Sequence, residues 1–158
     1  MIIRKAQPND APAIGRLLDQ LGYADTGAFL ADRIKTLADD PHEELVVGEQ
    51  NGIVVAVLSV HFIPQLGTHG SFARISYFCV DQDVRSNGLG RQLEEYAESA
   101  AQSRGCDRIE VHCHSRRTEA HRFYARQGYE EVPKYLMKKL TQGSNMCVHP
   151  IARYAREG

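Results

Sequence analysis

The first forty residues predict one strand and two amphipathic helices. Residues 1–6 are β-rich, and Asp10 is placed to cap a helix that has Pro12 in its first turn. The apolar positions of this helix recur at helical spacing; they are Ile14, Leu17, Leu18 and Leu21. Gly22 is predicted to end it. The second helix is predicted to end at the Asp-Asp-Pro sequence 39–41. Its apolar positions are Phe29, Leu30, Ile34 and Leu37.

The pattern changes to β-strands after residue 41. Residues 44–50 and 53–60 are two β-rich runs joined by Asn51-Gly52, a dipeptide typical of a tight hairpin. After a loop, residues 71–80 predict a third consecutive strand.

Helices and strands alternate in the second half of the chain. A helix is predicted from Gly88 to Arg104, and a strand over 107–114, where apolar and polar residues alternate. Thr118 is placed to cap the next helix, which Gly128 is predicted to end. The last predicted strands are 129–132 and 134–140.

The resulting order, β-α-α-β-β-β-α-β-α-β-β, predicts a single α/β domain. A run of hairpin-linked strands followed by alternating helices and strands favours a mixed, mostly antiparallel sheet with helices on both faces. The domain is predicted to span 1–140. Residues 141–158 show no clean period, so we expect a C-terminal tail that is extended, partly disordered or an arm in a dimer.

Composition narrows the function classes. Hydrophobic residues make up 42% and charged residues 25% of the chain, which is ordinary for a soluble globular protein. The 19 basic and 20 acidic residues give a net charge of −1, without the basic excess of a nucleic-acid-binding protein. The longest apolar stretch, 53–60, is far shorter than the ~20 residues of a membrane span. With no signal-peptide pattern and four cysteines that form no C-x-x-C pair, a cytoplasmic location is expected.

The sequence Val-Arg-Ser-Asn-Gly-Leu-Gly, residues 84–90, joins a predicted strand to a predicted helix. The N-terminus of a helix offers unpaired N–H groups and a partial positive charge, both suited to phosphate. Glycines let the backbone approach an anion, and Arg85 adds a guanidinium group. The dinucleotide fingerprint fails because Leu93 stands where its third glycine is needed, and the Gly-Lys-Ser/Thr of a P-loop is absent. A pyrophosphate site and a tight structural turn both stay open.

A second motif lies in residues 120–132, which place Phe123-Tyr124 on a helix shortly before Gly128 and Tyr129. In this order and spacing, the two motifs resemble the GNAT (Gcn5-related N-acetyltransferase) superfamily, and the resemblance extends over the chain to about Leu140. The sequence around the second motif is similar to small bacterial aminoalkylphosphonate and aminoglycoside-like acetyltransferases.

The resemblance implies an acetyl-CoA site. The residues implied to hold its pyrophosphate are Arg85, Ser86, Asn87, Gly88, Leu89, Gly90 and Arg91. The preceding strand segment, Phe78, Cys79 and Val80, would bind the pantetheine arm through its backbone, like an added strand, where the family's sheet splays open. Tyr124 would be the general acid that protonates the departing thiolate; a buried tyrosine of a core helix is the other interpretation.

At two positions the chain departs from the family pattern. Arg74 stands where many members have a glutamate that acts as general base, and a cation cannot take a proton from an ammonium group. The candidates by location for this role, besides water, are Tyr77, Ser76, His61, His69 and Glu110; Tyr77 is predicted to be catalytic together with Tyr124. Arg117 stands where members often have an asparagine that contacts the cofactor arm. It could reach the CoA phosphates or a substrate carboxylate, or cover a helix start.

Metal and covalent chemistries are not favoured. Strand alternation places His112 and His114 on one face and Cys113 on the other, and two ligands do not make a structural zinc site. No metal is therefore predicted. Neither Cys79 nor Cys113 has an evident paired base, which speaks against an acetyl-cysteine route.

The sequence thus predicts an acetyl-CoA-dependent N-acetyltransferase that moves an acetyl group directly to the primary amine of a small molecule. The alternative is a non-catalytic acyl-CoA-binding sensor or regulatory protein on the same fold, which the arginine at position 74 keeps open. No nucleic-acid or membrane partner is expected, and a homodimer is left open. The two early helices and the 61–71 loop, expected to determine the acceptor, carry no recognisable code.

Overall fold

A computed structural model gives the fold and describes residues 1–84, 88–132 and 136. The regular elements are, in chain order, β1 (Ile2–Lys5), a 3-10 turn (Pro8–Asp10), α1 (Ala11–Leu21), α2 (Leu30–Ala38), β2 (Glu43–Gln50), β3 (Ile53–Ile63), β4 (Ser71–Val80), a 3-10 turn (Gln82–Val84), α3 (Leu89–Ser103), β5 (Cys106–Val111) and α4 (Thr118–Arg126). Within these described ranges, no helix is long and apolar enough to cross a membrane.

The five strands form one mixed sheet in the order β1-β2-β3-β4-β5. The first four strands are antiparallel, and β5 runs parallel to β4 after the crossover through α3. The hairpin between β2 and β3 turns at Asn51 and Gly52, whose φ angles of 53° and 78° are the positive values that a tight two-residue turn requires. The predicted α/β class and mixed sheet are confirmed.

Helices cover both faces of the sheet. On one face, α1 and α2 bury Ile14, Leu17 and Ile34 in a core with inward-facing β2 and β3 residues such as Val47 and Val57. On the other face, α3 contributes Leu93, Ala97 and Ala101 to a second core, where they join residues of β2 to β4 such as Leu58 and Val60. Each strand alternates between the two cores because successive side chains point to opposite faces.

An irregularity in β4 opens the sheet. Ser59 of β3 faces Tyr77, whereas the next residue, Val60, faces Ile75, so Ser76 is an extra residue on β4. The pairing of β4 with β5 ends at the same point, with Ile75 opposite Val111. Past this point the described parts of the two strands are no longer paired, and a gap separates them.

Two predicted helix caps differ from the structure. The side chain of Asp10 makes no capping bond to α1, because its carboxylate accepts two hydrogen bonds of 2.8 Å from the Arg4 guanidinium and one from the Gln7 N–H. A bidentate, charge-assisted pair is stronger than a single cap bond. Thr118 is the first residue inside α4, and Arg117 occupies the cap position, so the Thr118 hydroxyl is one residue too late to cap.

The predictions near the C-terminus have mixed outcomes. The strand predicted over 107–114 ends at Val111, where its pairing with β4 stops. The strand predicted over 129–132 is wrong: these residues are not in a strand, and Tyr129 instead packs against the α3-side core. The strand predicted over 134–140, apart from Leu136, and the tail 141–158 lie outside the described residues.

Candidate active site

A cleft of about 1330 Å³ occupies the gap between β4 and β5. At one end it is lined by Gly88 and Gly90 at the start of α3, and at the other by Gln20 and Tyr23 at the end of α1. Since α1 and α3 cover opposite faces of the sheet, the cleft reaches from one face to the other. It is therefore lined by residues from both faces.

The two glycines at the start of α3 are needed for different reasons. Gly88 caps the helix with φ 75°, a left-handed conformation that side chains disfavour, and open space surrounds the place where its Cβ would be. Gly90 has an ordinary helical backbone, but a Cβ there would lie 3.3 Å from Cε2 of Phe123. The first glycine shapes the turn, and the second lets α4 pack against α3.

The start of α3 meets the physical requirements of an anion site. The first N–H groups of a helix have no acceptor within the helix, and the helix dipole adds positive potential. Of the residues implied for pyrophosphate, Gly88, Leu89, Gly90 and Arg91 line the cleft, while Arg85, Ser86 and Asn87 lie outside the described residues. Arg91 is exposed and pairs with Glu95 at 2.7 Å, a surface pair that leaves its charge largely available.

The end of β4 lines the middle of the cleft. Phe78, Cys79 and Val80 lie beyond the last pair with β5 and remain paired to β3. The ring of Phe78 makes an edge contact with Phe123, with centroids 5.7 Å apart, whereas the Cys79 side chain is buried in the opposite core. This strand segment thus borders the gap, and its binding of pantetheine stays a prediction.

Tyr124 lies in an aromatic cluster on the wall of the cleft. Its ring centroid is 5.2 Å from those of Phe123 and Tyr129 and 6.3 Å from that of Phe78. Burial, with smaller contributions from Cys113 and Glu94, raises its pKa well above the ordinary value, although Arg117 opposes the shift. The phenol is therefore protonated at neutral pH and can act as a proton donor.

Tyr129, which belongs to the second sequence motif, and Glu94, which neither motif indicated, support this cluster. Tyr129 donates a hydrogen bond of 3.2 Å to Glu94, a buried side chain of α3 that also lines the cleft. Burial raises the pKa of Glu94. A signal for Glu94 exists in the sequence, because it directly follows Leu93 on the face of α3 that packs on the sheet.

Tyr77 lines the other half of the cleft. It makes an edge contact with Tyr23, with ring centroids 5.3 Å apart. Burial raises the pKa of Tyr77, so its phenol is neutral at physiological pH and is better suited to donate a hydrogen bond than to accept a proton.

Three of the residues considered for the general base or its position are Arg74, Glu110 and His69. The first two form an ion pair with each other, and the third lies in a loop. Arg74 donates to Glu110 at 3.2 Å, and its guanidinium lies over the ring of Phe72. Partial burial alone would raise the pKa of Glu110. Hydrogen bonds from Arg108 and Arg74 outweigh that effect and hold the pKa below its ordinary value. His69 lies in the loop before β4 and is exposed.

The two arginines before α4 line the cleft. Arg117 is the cap residue of α4, and Arg116 precedes it. No carboxylate of the described residues lies within ion-pair distance of either arginine. Their charges are thus available to an anionic group in the cleft.

Cys113 lines the cleft and is partly buried. Burial raises the pKa of Cys113, which disfavours the nucleophilic thiolate. Among the residues that the structure describes, no three His, Cys, Asp or Glu side chains come together as metal ligands.

Comparison with known proteins places the chain in a family. Residues 15–129 match the model of the acetyltransferase (GNAT) family. The chain is 32% identical over 131 residues to an aminoalkylphosphonate N-acetyltransferase of Salmonella typhimurium, covering 82% of this chain and 84% of the relative.

Solved structures share the fold. A transcriptional regulator from Bacillus halodurans has a TM-score of 0.80 at 24% identity, with 88% of this chain and 99% of that chain covered. Glucosamine-6-phosphate N-acetyltransferase from Arabidopsis thaliana has a TM-score of 0.75 at 23% identity, with 87% and 97% covered. From the family match and the Salmonella relative, the chain belongs to the acetyltransferase (GNAT) family.

Proposed function

We propose that this protein transfers the acetyl group of acetyl-CoA directly to the primary amine of a small molecule. One observation carries the proposal. The cleft at the gap between β4 and β5 is lined both by the glycine-capped start of α3 and by Tyr124. One end of this cleft suits a phosphate group, and its middle holds a protonated phenol.

The residues present fit acetyl-CoA. The start of α3 offers backbone N–H groups and the helix dipole to a pyrophosphate, and Arg91, Arg116 and Arg117 add positive charge along the cleft. The stretch of β4 past its last pair with β5 borders the gap, and an extended pantetheine chain is proposed to lie along it. The cosubstrate supplies an activated acetyl group as a thioester.

Tyr124 is proposed to be the proton donor of the transfer. The neutral amine nitrogen forms a bond to the acetyl carbon, and the carbon–sulfur bond breaks with its electron pair left on sulfur. The Tyr124 hydroxyl gives its proton to the sulfur, and the phenolate takes back the surplus proton of the new amide nitrogen. Because its pKa is raised, the phenolate is a strong enough base to recover that proton at once.

A small amine is the acceptor class that the second half of the cleft supports. This half is closed by Gln20, Tyr23 and Tyr77, which offer aromatic surface and hydrogen-bonding groups. The Salmonella relative is named for an aminoalkylphosphonate, an amine that carries an anionic group. Such an acceptor would pair with Arg116 or Arg117, since Arg74 is already paired with Glu110.

A non-catalytic acyl-CoA-binding protein is the second candidate, and Arg74 at the position of the family's glutamate is the observation that favours it. The two functions differ in one measurement. The purified protein is mixed with acetyl-CoA and a panel of small amines, including aminoalkylphosphonates, and the release of free thiol is followed while acetyl-CoA binding is measured by calorimetry.

The transferase predicts thiol release with at least one amine, about a 100-fold lower kcat in Tyr124→Phe and an unchanged Kd for acetyl-CoA. Tyr96→Phe is the matched control, because its hydroxyl bonds to Glu44 outside this cleft. Binding of acetyl-CoA without thiol release for any amine would instead establish the sensor.

A further inference from the structure

A group of four polar side chains lies beside the gap, on the face of the sheet that α1 and α2 cover. They are Glu43 of β2, Ser59 and His61 of β3, and Ser76 of β4. Glu43 is opposite His61 in the register of the sheet, and it shares a face with Leu45 and Val47. This period-two pattern is the sequence signal that could have indicated a buried acid.

Glu43 has one satisfied and one unsatisfied carboxylate oxygen. Its side chain is fully buried, and Oε1 accepts a hydrogen bond of 2.7 Å from the Ser59 hydroxyl. Oε2 lies 2.8 Å from Nδ1 of His61, but at an angle outside that of a hydrogen bond, and no described residue donates one to it. Burial raises the pKa of Glu43 to about 7, and nearby Asp40 and Glu44 add to the shift.

His61 links this carboxylate to the gap. Its Nδ1 is 2.9 Å from Oγ of Ser76, and 38% of its side chain is exposed. The charged groups that face it are Glu43 from β2, Asp40 from the loop before β2 and Arg74 from β4. Burial and Arg74 lower the pKa of His61 against the opposing effect of Asp40, so the imidazole is neutral at physiological pH and can accept a proton.

Ser76 places the group in contact with the cleft. It is the extra residue of the β4 irregularity, the first residue beyond the pairing with β5, and it lines the cleft beside Tyr77. Ser76 therefore lines the cleft and also contacts His61 through its hydroxyl.

We propose that His61 accepts, through the Ser76 hydroxyl, the proton that the acceptor ammonium loses before it attacks. This inference rests on the proposed amine acetylation. The ammonium N–H gives its proton to Oγ of Ser76, and the Ser76 O–H proton passes to Nδ1 of His61. The amine is left with its electron pair for attack, and the imidazolium later releases the proton to solvent.

The Glu43 oxygen that accepts no hydrogen bond from the described residues has a role in this step. Oε2 of Glu43 lies 2.8 Å from the ring nitrogen that receives the proton, so the charged carboxylate stabilises the imidazolium as it forms. Because Ser76 and Glu43 meet the same ring nitrogen, the group is not arranged as a Ser-His-Glu nucleophile, in which the serine and the acid bond opposite nitrogens. The group thus offers a base to this chain, in which Arg74 stands where many family members have a glutamate base.

Kinetics across pH test the role of His61. With an amine that the wild type acetylates, His61→Gln and Ser76→Ala are each expected to lower kcat/KM about 100-fold at pH 7, and the double variant no further. The deficit should shrink as the pH approaches the pKa of the acceptor, because that amine arrives already neutral. The Kd for acetyl-CoA should stay unchanged, and His69→Gln, which alters an exposed loop histidine, should behave as wild type. A deficit equal at every pH, or wild-type kinetics in His61→Gln, would overturn the proposal.

A titration that needs no turnover tests the contact with Glu43. The imidazole signals of the intact protein are followed by NMR across pH, with His61→Gln used to assign the His61 signal. Glu43→Gln should move the His61 midpoint to lower pH, because the two groups titrate as a coupled pair in which the charged carboxylate favours the imidazolium. An unchanged midpoint would overturn the pairing. A wild type that binds acetyl-CoA but acetylates no amine would overturn the proposed function instead, so the two failures are distinguishable.

Discussion

Gly90 at the start of α3 and Phe123 on α4 are packed so closely that a Cβ on Gly90 would lie 3.3 Å from Cε2 of the phenylalanine ring. The ring of Phe123 also contacts Tyr124, with centroids 5.2 Å apart. The position of the proposed proton donor therefore depends on the absence of a side chain at Gly90.

Gly90→Ala is expected to disturb catalysis through this contact. A glycine-to-alanine change inside a helix ordinarily adds about 0.5–1 kcal/mol to the free energy of unfolding. Here the new methyl group must displace Phe123, so we expect no gain in stability and a several-fold loss of kcat/KM.

Gly15→Ala in α1 is the matched control for Gly90. A Cβ there would meet its nearest neighbour at 3.6 Å, an ordinary contact, so the full stabilisation should appear in urea unfolding with activity unchanged. An equal gain in the free energy of unfolding in both variants would show that the Phe123 ring moves aside without cost, and it would contradict the prediction.

Gly88→Ala is expected to weaken acetyl-CoA binding. At φ 75°, a residue with a Cβ costs about 1–2 kcal/mol, and the change would reshape the turn that presents the N–H groups of α3. Gly105→Ala, at φ 68° and also in open space, should cost similar stability but leave the Kd unchanged, because Gly105 does not line the cleft. Equal Kd values for both variants would show that Gly88 is not part of the proposed pyrophosphate site.

Asp10→Asn is expected to lower the free energy of unfolding by about 1–2 kcal/mol at pH 7, because Asp10 is buried against a partly exposed Arg4. The hydrogen bonds from Arg4 lower the pKa of Asp10 against the effect of burial. The stabilisation is therefore present above the unfolded-state pKa of about 3.9 and is lost as the pH falls through the lower folded-state value.

Urea unfolding between pH 7 and pH 2.5 measures this difference. Glu119→Gln, which removes an exposed ion pair with Arg122, should change stability by less than about 0.5 kcal/mol at any pH. A loss in Asp10→Asn that does not shrink with acid would point to lost packing rather than charge.

Glu94→Gln is expected to raise stability at neutral and alkaline pH. Burial raises the pKa of Glu94, so the unfolded chain ionises at a lower pH than the folded one, and stability falls as the pH rises above about 4.3. Glutamine keeps an acceptor for the Tyr129 hydroxyl without a charge. Thermal unfolding should show a Tm gain at pH 8 that vanishes near pH 4, whereas exposed Glu98→Gln should show none; a gain independent of pH would contradict the ionisation argument.

The sequence determined the features that depend on near neighbours in the chain. The hairpin at Asn51 and Gly52, the helix end at Gly22 and the glycine-capped start of α3 were all predictable, because backbone sterics and periodicity act within a few residues. The motif around Tyr124 indicated a residue that the structure places on the wall of the cleft, and its role as proton donor stays a proposal. The Asp10 cap failed because Arg4, on another element, offered its carboxylate a stronger partner.

The tertiary structure decided what depends on how strands align. The extra residue at Ser76 sets where β4 leaves β5, and no local pattern indicates which residue of a strand will be the extra one. The contacts of His61 with Glu43 and Ser76 join three strands whose register is fixed only when both cores pack. The sequence could therefore indicate the glycine-capped helix start and name His61 and Ser76 among several candidate bases, whereas their contact with each other and with Glu43 appears only in the assembled sheet.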